Sequence, residues 1–509
     1  MPSLTIATEN GTTSIDFQGE QLISRLIQFS GLGFQMPCGQ NHTCGKCRVL
    51  VESPQPPRPE ELRLLSSAQL QQGVRLACVT RISQDCTIRL LEQGLSKTQI
   101  QKTGVMPDFV PDPPEHDAGK PYGFAVDIGT TTVVVYLYSL ASGQLAASAA
   151  EANDQSVFGA DVIARISYCN ENGGAQPAQA IRRQLGRLLQ SCCAQCGIGT
   201  DRVGLGVITG NCTMLHLLTA EDPRGIAVFP FTPSTLFGCW KAPADLELPL
   251  DPGCRIFLPP CVSAYVGADI VCSVLASGMW QDKSAFLVDV GTNGEMVLYH
   301  GGRFRGCSTA AGPAFEGAGL RCGMPALPGA INRVDVAEDR PFCTTIGGEP
   351  ARGICGSGII DAAAAALLLE AMDETGRLEN GDDFALEGGV VVTQADLRQV
   401  QLAKSAIASG VQTLLHESGL TPAQVDTFYL AGGFGSYIRM DTATAIGLFP
   451  REFSAKAKVL GNAAGSGAGL MLLSREYFDR ALRLAPQVQD ISLSESPYFM
   501  DAYIDNMMF

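Results

Sequence analysis

The chain has 509 residues, of which 46% are hydrophobic and 17% charged, a composition typical of globular proteins with roughly three to four domains. Its formal net charge is -15, it has no run of five basic residues, and its longest apolar run, 362–369, is too short to cross a bilayer, so neither nucleic acid nor a membrane is an expected partner. Eighteen cysteines without a signal-peptide pattern favour a reducing cytoplasm, where thiols and metal ligands are commoner than disulfides.

The first 95 residues predict a small α+β domain. Short alternating runs at 4–7 and 13–17 indicate strands, an apolar-periodic segment at 22–29 indicates a helix, and Arg48–Val51 indicates a further strand. A loop rich in glycine and cysteine lies between the helix and this last strand. The first domain is therefore assigned to residues 1–95.

Four cysteines of this domain, Cys38, Cys44, Cys47 and Cys78, are spaced like cluster ligands, with a first gap one residue longer than in the plant-type iron-sulfur pattern. Glycines in the loop would let backbone amides donate to thiolates and sulfides. Four thiolates also suit tetrahedral zinc, although zinc sites usually present paired C-x2-C knuckles. Residues 1–92 resemble the β-grasp ferredoxins in this loop and around Cys78, and the resemblance implies a [2Fe-2S] cluster and one-electron transfer.

Residues 96–121 read as a linker. Periodicity fades there, and prolines accumulate among polar residues, which is typical of a semi-rigid tether. At ~3.1 Å per residue such a segment could carry the first domain some tens of ångströms across the face of the next one. We therefore expect the linker to permit docking and undocking.

After the linker, apolar strands, glycine-rich turns and helices alternate, which predicts an α/β architecture. The same strand-and-turn motif occurs twice in this part of the chain. In each copy a strand ends in an aspartate, Asp127 or Asp289, and enters a glycine- and hydroxyl-rich turn. Such a turn can ring a phosphate with amides and hydroxyls, while the aspartate can hold hydrated Mg2+. The two turns contain Gly129, Thr130, Thr131 and Thr132 in the first copy, and Gly291, Thr292, Asn293 and Gly294 in the second.

A third glycine-rich turn follows the strand that begins at Tyr429. Its residues Gly432, Gly433 and Phe434 would let the backbone lie against a flat adenosine, because glycine has no side chain to prevent the approach. Each glycine run alone is more often just a tight turn. Three in this order are a stronger signal.

Together the three motifs resemble the superfamily of actin, Hsp70 chaperones and sugar kinases, whose two connecting-helix motifs are matched by 264–269 and 461–468. The resemblance implies two ribonuclease H-like lobes around an ATP cleft. We assign the lobes to 122–280 and 281–485, and expect the tail, 486–509, to pack on the body.

Four further stretches narrow the resemblance to the reductive activators of corrinoid proteins. They lie at 208–216, 307–318, 353–361 and 430–435, and with the ferredoxin they cover nearly the whole chain. That family uses ATP to return an inactive Co(II) corrinoid to Co(I) with an electron from its own cluster. The resemblance implies a corrinoid protein of a methyltransferase system as partner, and an external low-potential electron donor. Many members carry a further domain where this chain has its linker, so a homodimer stays an open alternative.

The sequence leaves two possible roles open for some residues. Glu316 either acts as an acid near the nucleotide or caps a turn, and Ser308 and Thr309, expected in a loop, either present a hydroxyl to the partner at the cleft rim or form a plain turn. Asn211 reads as a helix N-cap and His216 as a satisfied helix residue.

Two other functions are considered. One is an activator of another low-potential enzyme, like those of 2-hydroxyacyl-CoA dehydratases, whose cysteine arrangement this chain does not show. The other is a redox-sensing small-molecule kinase, for which no sugar-binding constellation is recognisable.

Overall fold

The computed structural model describes residues 1–8, 11–30, 45, 47–52, 56–90, 104–117, 119–379 and 381–509. These residues form two compact units. The first comprises the described part of Met1–Lys97 together with Ala152–Gly173, and the second comprises Thr98–Glu151 and Gly174–Phe509. A segment that the sequence places in the first ATPase lobe is thus grouped with the N-terminal unit, and its Val157 packs against that unit's apolar core.

The N-terminal unit contains a five-stranded sheet in the order β2-β1-β7-β4-β5 and a small pair, β3-β6. Within the described part of this unit β1 and β7 pair in parallel, with Leu4 opposite Cys86, and the other strand pairs are antiparallel. Leu4 and Ile6 alternate with more polar residues along β1 and are fully buried, as a half-buried strand requires. The elements are β1 (Ser3–Thr8), β2 (Gly11–Asp16), β3 (Gln21–Leu22), α1 (Ile23–Phe29), β4 (Arg48–Val51), α2 (Pro59–Leu64), α3 (Ser67–Gln71), β5 (Val74–Leu76), β6 (Arg81–Ile82), β7 (Cys86–Leu90) and α4 (Val162–Asn172).

The first sheet of the second unit has the order β10-β9-β8-β11-β13-β12. Its first three strands are joined by short turns, and β8 pairs in parallel with β11, which pairs in parallel with β13. Strand β11 is buried along its whole length, as expected of a central strand covered on both faces. The strands are β8 (Tyr122–Ile128), β9 (Thr132–Ser139), β10 (Leu145–Ala152), β11 (Val203–Gly210), β12 (Cys239–Lys241) and β13 (Arg255–Leu258).

The second sheet of this unit repeats that topology in the order β23-β22-β14-β15-β16-β24. When the edge strands β12 and β24 are left out and the other five strands of each sheet are numbered in chain order, both sheets read 3-2-1-4-5 from one edge, so the repeated sequence motif marks a repeated fold. In each half the first two strands form an antiparallel hairpin. The strands are β14 (Ser284–Val290), β15 (Gly294–His300), β16 (Arg303–Thr309), β22 (Thr427–Ala431), β23 (Ala457–Gly461) and β24 (Val488–Asp490).

Two helices, α8 and α12, pack closely in the apolar core that contains residues of both sheets. A Cβ on Gly467 would lie 1.9 Å from the carbonyl oxygen of Cys272, so the close crossing requires glycine there. The remaining strands are β17 (Ala330–Ala337), β18 (Arg340–Thr345), β19 (Gly353–Ile354), β20 (Asp383–Ala385) and β21 (Val391–Thr393). The helices are α5 (Ala175–Gln195), α6 (Cys212–Thr219), α7 (Arg224–Ala227), α8 (Ala268–Ser277), α9 (Gly356–Leu368), α10 (Gln394–Glu417), α11 (Met440–Ala445), α12 (Ala463–Leu473), α13 (Arg475–Leu484) and α14 (Pro497–Asp505).

The proline-rich segment is not a free tether over its second half, contrary to expectation. The amide of Val105 donates to the carbonyl of Leu460 (2.9 Å), the amide of Asp112 to that of Leu473 (2.9 Å), and the amide of Arg475 to the carbonyl of Asp112 (2.7 Å). An extended chain can satisfy its non-proline amides on carbonyls that helix ends and edge strands leave available, which composition alone does not reveal.

The tail lies along α10 of the second unit. The amide of Phe509 donates to the carbonyl of Glu374 (2.8 Å), and the side-chain amide of Gln401 donates to the carbonyl of Met507 (2.6 Å). Within the described ranges, no helix is both long and apolar enough to cross a bilayer.

Candidate active site

A cleft of about 550 Å³ opens in the second unit where the turns of the two sheets meet. It is lined by all of the predicted nucleotide-site residues except Gly294. They are Asp127, Gly129, Thr130, Thr131, Thr132, Asp289, Gly291, Thr292, Asn293, Glu316, Gly432, Gly433 and Phe434. Gly294 instead begins β15, where a Cβ would lie 2.9 Å from Ile407, so it permits packing beneath the cleft.

The two phosphate motifs form matching tight hairpins at the ends of β8 and β14. The amide of Gly129 donates to the carbonyl of Thr132 (2.8 Å), and the amide of Gly291 donates to that of Asn293 (2.9 Å). A Cβ on Gly129 would lie 2.9 Å from the Thr132 oxygen, so the first hairpin needs its glycine. The hairpins line the same cleft with hydroxyls, an arrangement suited to a chain of phosphates.

Glu316 joins the two hairpins. Its carboxylate accepts hydrogen bonds from the hydroxyl of Thr131 (3.2 Å) and from the hydroxyl of Thr292 (3.0 Å). It ends a short 3-10 turn, Pro313–Glu316, and is half-buried. The side chain therefore occupies the position between the two phosphate loops, where it can meet a bound nucleotide.

Four carboxyl groups surround the base of the cleft, and burial is the main reason why their pKa values are raised. The pKa of Asp127 rises to about 6, that of Asp289 to about 7 and that of Asp269 to about 8, with repulsion among the three adding to desolvation for the last two. The pKa of Glu295 is also raised well above its ordinary value. Such crowding of acids disfavours their charged forms unless a cation is bound.

This set of donors fits a hydrated Mg2+ ion. Mg2+ usually keeps several waters and is bound through one or two carboxylates plus substrate phosphates, which does not require a tight cluster of side chains. Among the residues that the structure describes, no group of three or more His, Cys, Asp or Glu side chains could hold a metal ion directly. Asp127 and Asp289, one at the end of each hairpin strand, are the residues that would hold the ion through its waters.

Two asparagines that the sequence analysis did not assign to the site also line the cleft. Asn462 donates to the carboxylate of Asp127 (2.8 Å), which counteracts the rise in its pKa. Asn211 caps α6 by accepting from the amide of Met214 (2.9 Å) and also donates to the hydroxyl of Thr130 (3.2 Å). Asn462 lies within the connecting-helix motif 461–468 and Asn211 directly follows a buried strand, and these two positions were the available signals.

The third glycine motif lies close to the second hairpin. Gly432 has φ +91°, and a Cβ there would lie 2.5 Å from a carboxylate oxygen of Asp289. Phe434 stacks on Phe315 with ring centroids 5.9 Å apart and an interplanar angle of 11°. A Cβ on Gly356 would clash with the backbone of Phe315. The cleft therefore has a flat aromatic and glycine-rich wall suited to a purine ring.

Ser308 and Thr309 do not lie in a loop, contrary to expectation. Both belong to β16, where Ser308 is opposite Glu295 and Thr309 is opposite Gly294. Thr309 is only 7% exposed, and neither residue is among those lining the cleft. The neighbouring Gly306 also belongs to this strand, opposite Val297, so glycine here does not mark a loop.

Two of the four predicted cluster ligands lie among the described residues. Cys47, directly before β4, and Cys78, between β5 and β6, are buried with their sulfur atoms 3.2 Å apart. This separation is too long for a disulfide and is about 0.6 Å shorter than the ~3.8 Å expected between two sulfurs on one tetrahedral metal with bonds of ~2.3 Å. The two sulfurs therefore lie on the same side of the unit's core, as two ligands of one cluster must, and their role as ligands stays a prediction. Cys38 and Cys44 lie outside the described residues.

A buried carboxylate supports the loop that carries Cys78. Glu61 accepts hydrogen bonds from the amide of Leu76 (2.8 Å), the hydroxyl of Thr80 (3.0 Å) and, through its other oxygen, the amide of Arg58 (2.9 Å). A glutamate in a short helix gives no signal of its own, so the sequence did not point to Glu61.

Comparison with known proteins identifies the parts of the chain. Residues 283–509 match the C-terminal domain of RACo, the ASKHA domain, residues 122–282 match the RACo middle region, and residues 7–83 match the 2Fe-2S iron-sulfur cluster binding domain. The predicted combination of a [2Fe-2S] ferredoxin domain and an actin-like ATPase domain is therefore confirmed.

Relatives match over most of the chain. Corrinoid activation enzyme RamQ of Eubacterium limosum is 33% identical over 79% of this chain and 72% of its own length. The [Co(II) methylated amine-specific corrinoid protein] reductase of Methanosarcina barkeri is 25% identical over 76% and 77%. The solved structure of a reductive activator for corrinoid, iron-sulfur protein has a TM-score of 0.71 at 28% identity and covers 100% of this chain and 98% of that chain. The chain therefore belongs to the family of reductive activators of corrinoid proteins.

Proposed function

We propose that this chain uses ATP to return the inactive Co(II) corrinoid of a methyltransferase system to Co(I), with one electron from its own cluster. The observation that carries the proposal is the nucleotide cleft, built from two matching hairpins and four crowded carboxyl groups, in one chain with a ferredoxin domain. Neither part alone requires this function. Their combination suits an electron transfer that must be driven by a nucleotide.

The energetics explain why the two parts are joined. A plant-type [2Fe-2S] cluster supplies electrons near ~-400 mV, and Co(I) corrinoids require a lower potential, so the electron must move uphill. A conformational switch biased by ~5.5 kcal/mol would offset about 240 mV for one electron, at ~2.3 kcal/mol per 100 mV. We propose that closure of the ATPase lobes supplies this bias by removing or replacing a ligand of the cobalt.

Different residues of the cleft bind different parts of ATP. The hairpin hydroxyls and amides bind the phosphates, the aromatic wall with Gly432 holds the base, and bound Mg2+ would neutralise charge on the phosphates. Asp127 and Asp289 hold the waters of that ion, and Asn462 orients Asp127.

Glu316 lies where a bound nucleotide would change its hydrogen bonds. It accepts hydrogen bonds from Thr131 and Thr292, whose hydroxyls phosphate oxygens would compete for. Arrival of the γ-phosphate would release the carboxylate from both threonines, and it could then orient the attacking water as general base. The hydrogen bonds between the two hairpins thus change with the nucleotide, as a switch requires.

The partners follow from the same proposal. A corrinoid protein accepts the electron, an external low-potential donor refills the cluster, and the half-buried Ser308 is the remaining candidate for the partner contact that was assigned to 308 and 309. A homodimer and a cytoplasmic location stay predictions.

An anaerobic assay tests the function. Reduced chain is mixed with a Co(II) corrinoid protein, with and without Mg-ATP, and formation of Co(I) is followed by its absorption. We expect Co(I) only with ATP. Cys78→Ser should remove both the cluster absorption and Co(I) formation while sparing ATP binding, whereas Cys86→Ser, a half-buried thiol in β7, should retain all three. Co(I) formation without ATP would refute the proposal.

A further inference from the structure

An apolar loop without charged residues lies on the surface of the second unit. Residues 226–238, here called the aromatic loop, read IAVFPFTPSTLFG. Val228 is 64% exposed, Phe229 is 69% exposed and Leu236 is 42% exposed. Single exposed apolar side chains are ordinary, but three within one short loop that has no charged residue indicate an interaction site.

The loop is held in one conformation despite its exposure. Phe231 and Phe237 have φ values of +58° and +61°, which side chains other than glycine rarely adopt and which persist only where the surroundings enforce them. The amide of Phe231 donates to the carbonyl of Val228 (2.8 Å), and Phe229 packs edge-on against Phe231 with centroids 5.9 Å apart. Phe229 is therefore presented outward from a preorganised base, which lowers the entropy lost on binding.

Two contacts connect the aromatic loop to segments that line the nucleotide cleft. His216, in the helix capped by Asn211, contacts the hydroxyl of Ser234 through Nε2 (3.1 Å) and the ring of Phe237 edge-on (5.0 Å). Tyr265, in the segment that leads to Asp269, donates to the carbonyl of Ile226 (2.8 Å). The loop is therefore held by residues from the same two segments that contribute Asn211 and Asp269 to the cleft.

The composition and the exposed area of the aromatic loop limit the class of partner that can bind to it. Membrane-binding surfaces combine apolar anchors with Lys and Arg, which the loop lacks in a chain of net charge -15. The exposed side chains offer roughly 300 Å² of apolar area, well below the ~800 Å² per partner of a standard stable interface. A surface of this size suits a protein that binds and leaves, as the substrate protein of a reactivating enzyme must.

We infer that the aromatic loop is a docking surface for the corrinoid protein, with Phe229 as its anchor. This inference rests on the proposed function and assigns to it a surface outside the nucleotide cleft. The partner contributes an apolar pocket that receives Phe229. The contacts of His216 and Tyr265 connect the loop to the two segments that carry Asn211 and Asp269 of the cleft.

The test uses the full chain and a Co(II) corrinoid protein that the wild type reduces in the assay above. Phe229→Ala and, as a second variant, Val228→Ser should each raise the KM for the corrinoid protein, by about tenfold or more for Phe229→Ala, with kcat and the KM for ATP within about twofold. Leu368→Ser is the matched control, since Leu368 is 72% exposed at the end of α9, and it should behave as wild type.

The outcomes separate the two claims. If the wild type reduces no corrinoid protein, the proposed function fails. If it does and both loop variants keep the wild-type KM, the docking surface is wrong. A change of sedimentation coefficient in the variants would show that the loop joins two copies of the chain, and loss of binding to phosphatidylserine vesicles would show a membrane surface. Either result would overturn the inference.

Discussion

Replacing Asp289 with asparagine should stabilise the protein in the absence of nucleotide and divalent cations while impairing its activity. Asp289 lies beneath the second hairpin, where burial and the charge of Asp127 raise its pKa from 3.8 to about 7. At 1.36 kcal/mol per pH unit, ionising this carboxyl in the folded state costs on the order of 4 kcal/mol as an upper limit, since neighbouring groups relax. An amide of the same shape does not incur this cost.

The sign of the pH dependence follows from the raised pKa. The folded wild type holds its proton more tightly than the unfolded chain, so its stability falls as pH rises from about 4 to about 7 and is constant above that range with respect to this group. The advantage of Asp289→Asn should therefore be small below about pH 4, grow steadily from pH 4 to pH 7 and then level off.

Urea unfolding in EDTA at several pH values, followed by circular dichroism, measures this advantage as a shift in the transition midpoint of the ATPase body. Asp441→Asn is the opposite control, because its pairing with Arg439 lowers the pKa of Asp441 and its loss should destabilise at neutral pH. A stabilisation by Asp289→Asn that is equal at pH 5 and pH 8, or no stabilisation at all, would refute the reasoning.

Three further substitutions test other parts of the account. Glu316→Gln should lower kcat for ATP hydrolysis by about 10²- to 10⁴-fold with nucleotide affinity changed only a few-fold, and a kcat within twofold of wild type would exclude it as general base. Glu61→Ala should lower the free energy of unfolding of the N-terminal unit by about 2–4 kcal/mol, because three hydrogen-bond donors lose their acceptor. Urea titration measures this change. Glu60 is partly exposed, so Glu60→Ala should change the free energy of unfolding by less than about 0.5 kcal/mol. Gly432→Ala should weaken ATP binding in calorimetry, because a Cβ would meet Asp289, whereas Gly174→Ala, where nothing lies within 4 Å, should leave it unchanged.

The repeated motif was the most informative part of the sequence. A strand, an aspartate and a glycine-threonine turn occur twice because each half of the body needs the same hairpin at the same sheet edge. The motif thereby predicts both the duplicated topology and most of the residues that line the cleft. Local composition sufficed here because glycine, threonine and aspartate each have a specific part in a phosphate turn.

Composition did not predict the local structure where contacts between distant segments determine it. Residues 104–117 resemble a tether in sequence, but the amides of Val105 and Asp112 donate to carbonyls more than 300 residues away. Thr309 follows a polar and glycine-rich stretch, yet it is buried in β16 against Gly294. Asn462 belongs to the recognised 461–468 motif, but its contact with Asp127, 335 residues away in sequence, depends on α12 beginning at the cleft.

The central claim is that ATP drives one electron from the chain's own cluster to the cobalt. A single-turnover experiment tests it most directly: pre-reduced chain, freed of excess reductant, is mixed anaerobically with a Co(II) corrinoid protein, and the reduced-cluster signal and Co(I) absorption are followed together. The account predicts that one cluster is oxidised for each Co(I) formed, and only when Mg-ATP is present. Equal transfer without ATP, or Co(I) formed while the cluster stays reduced, would contradict it.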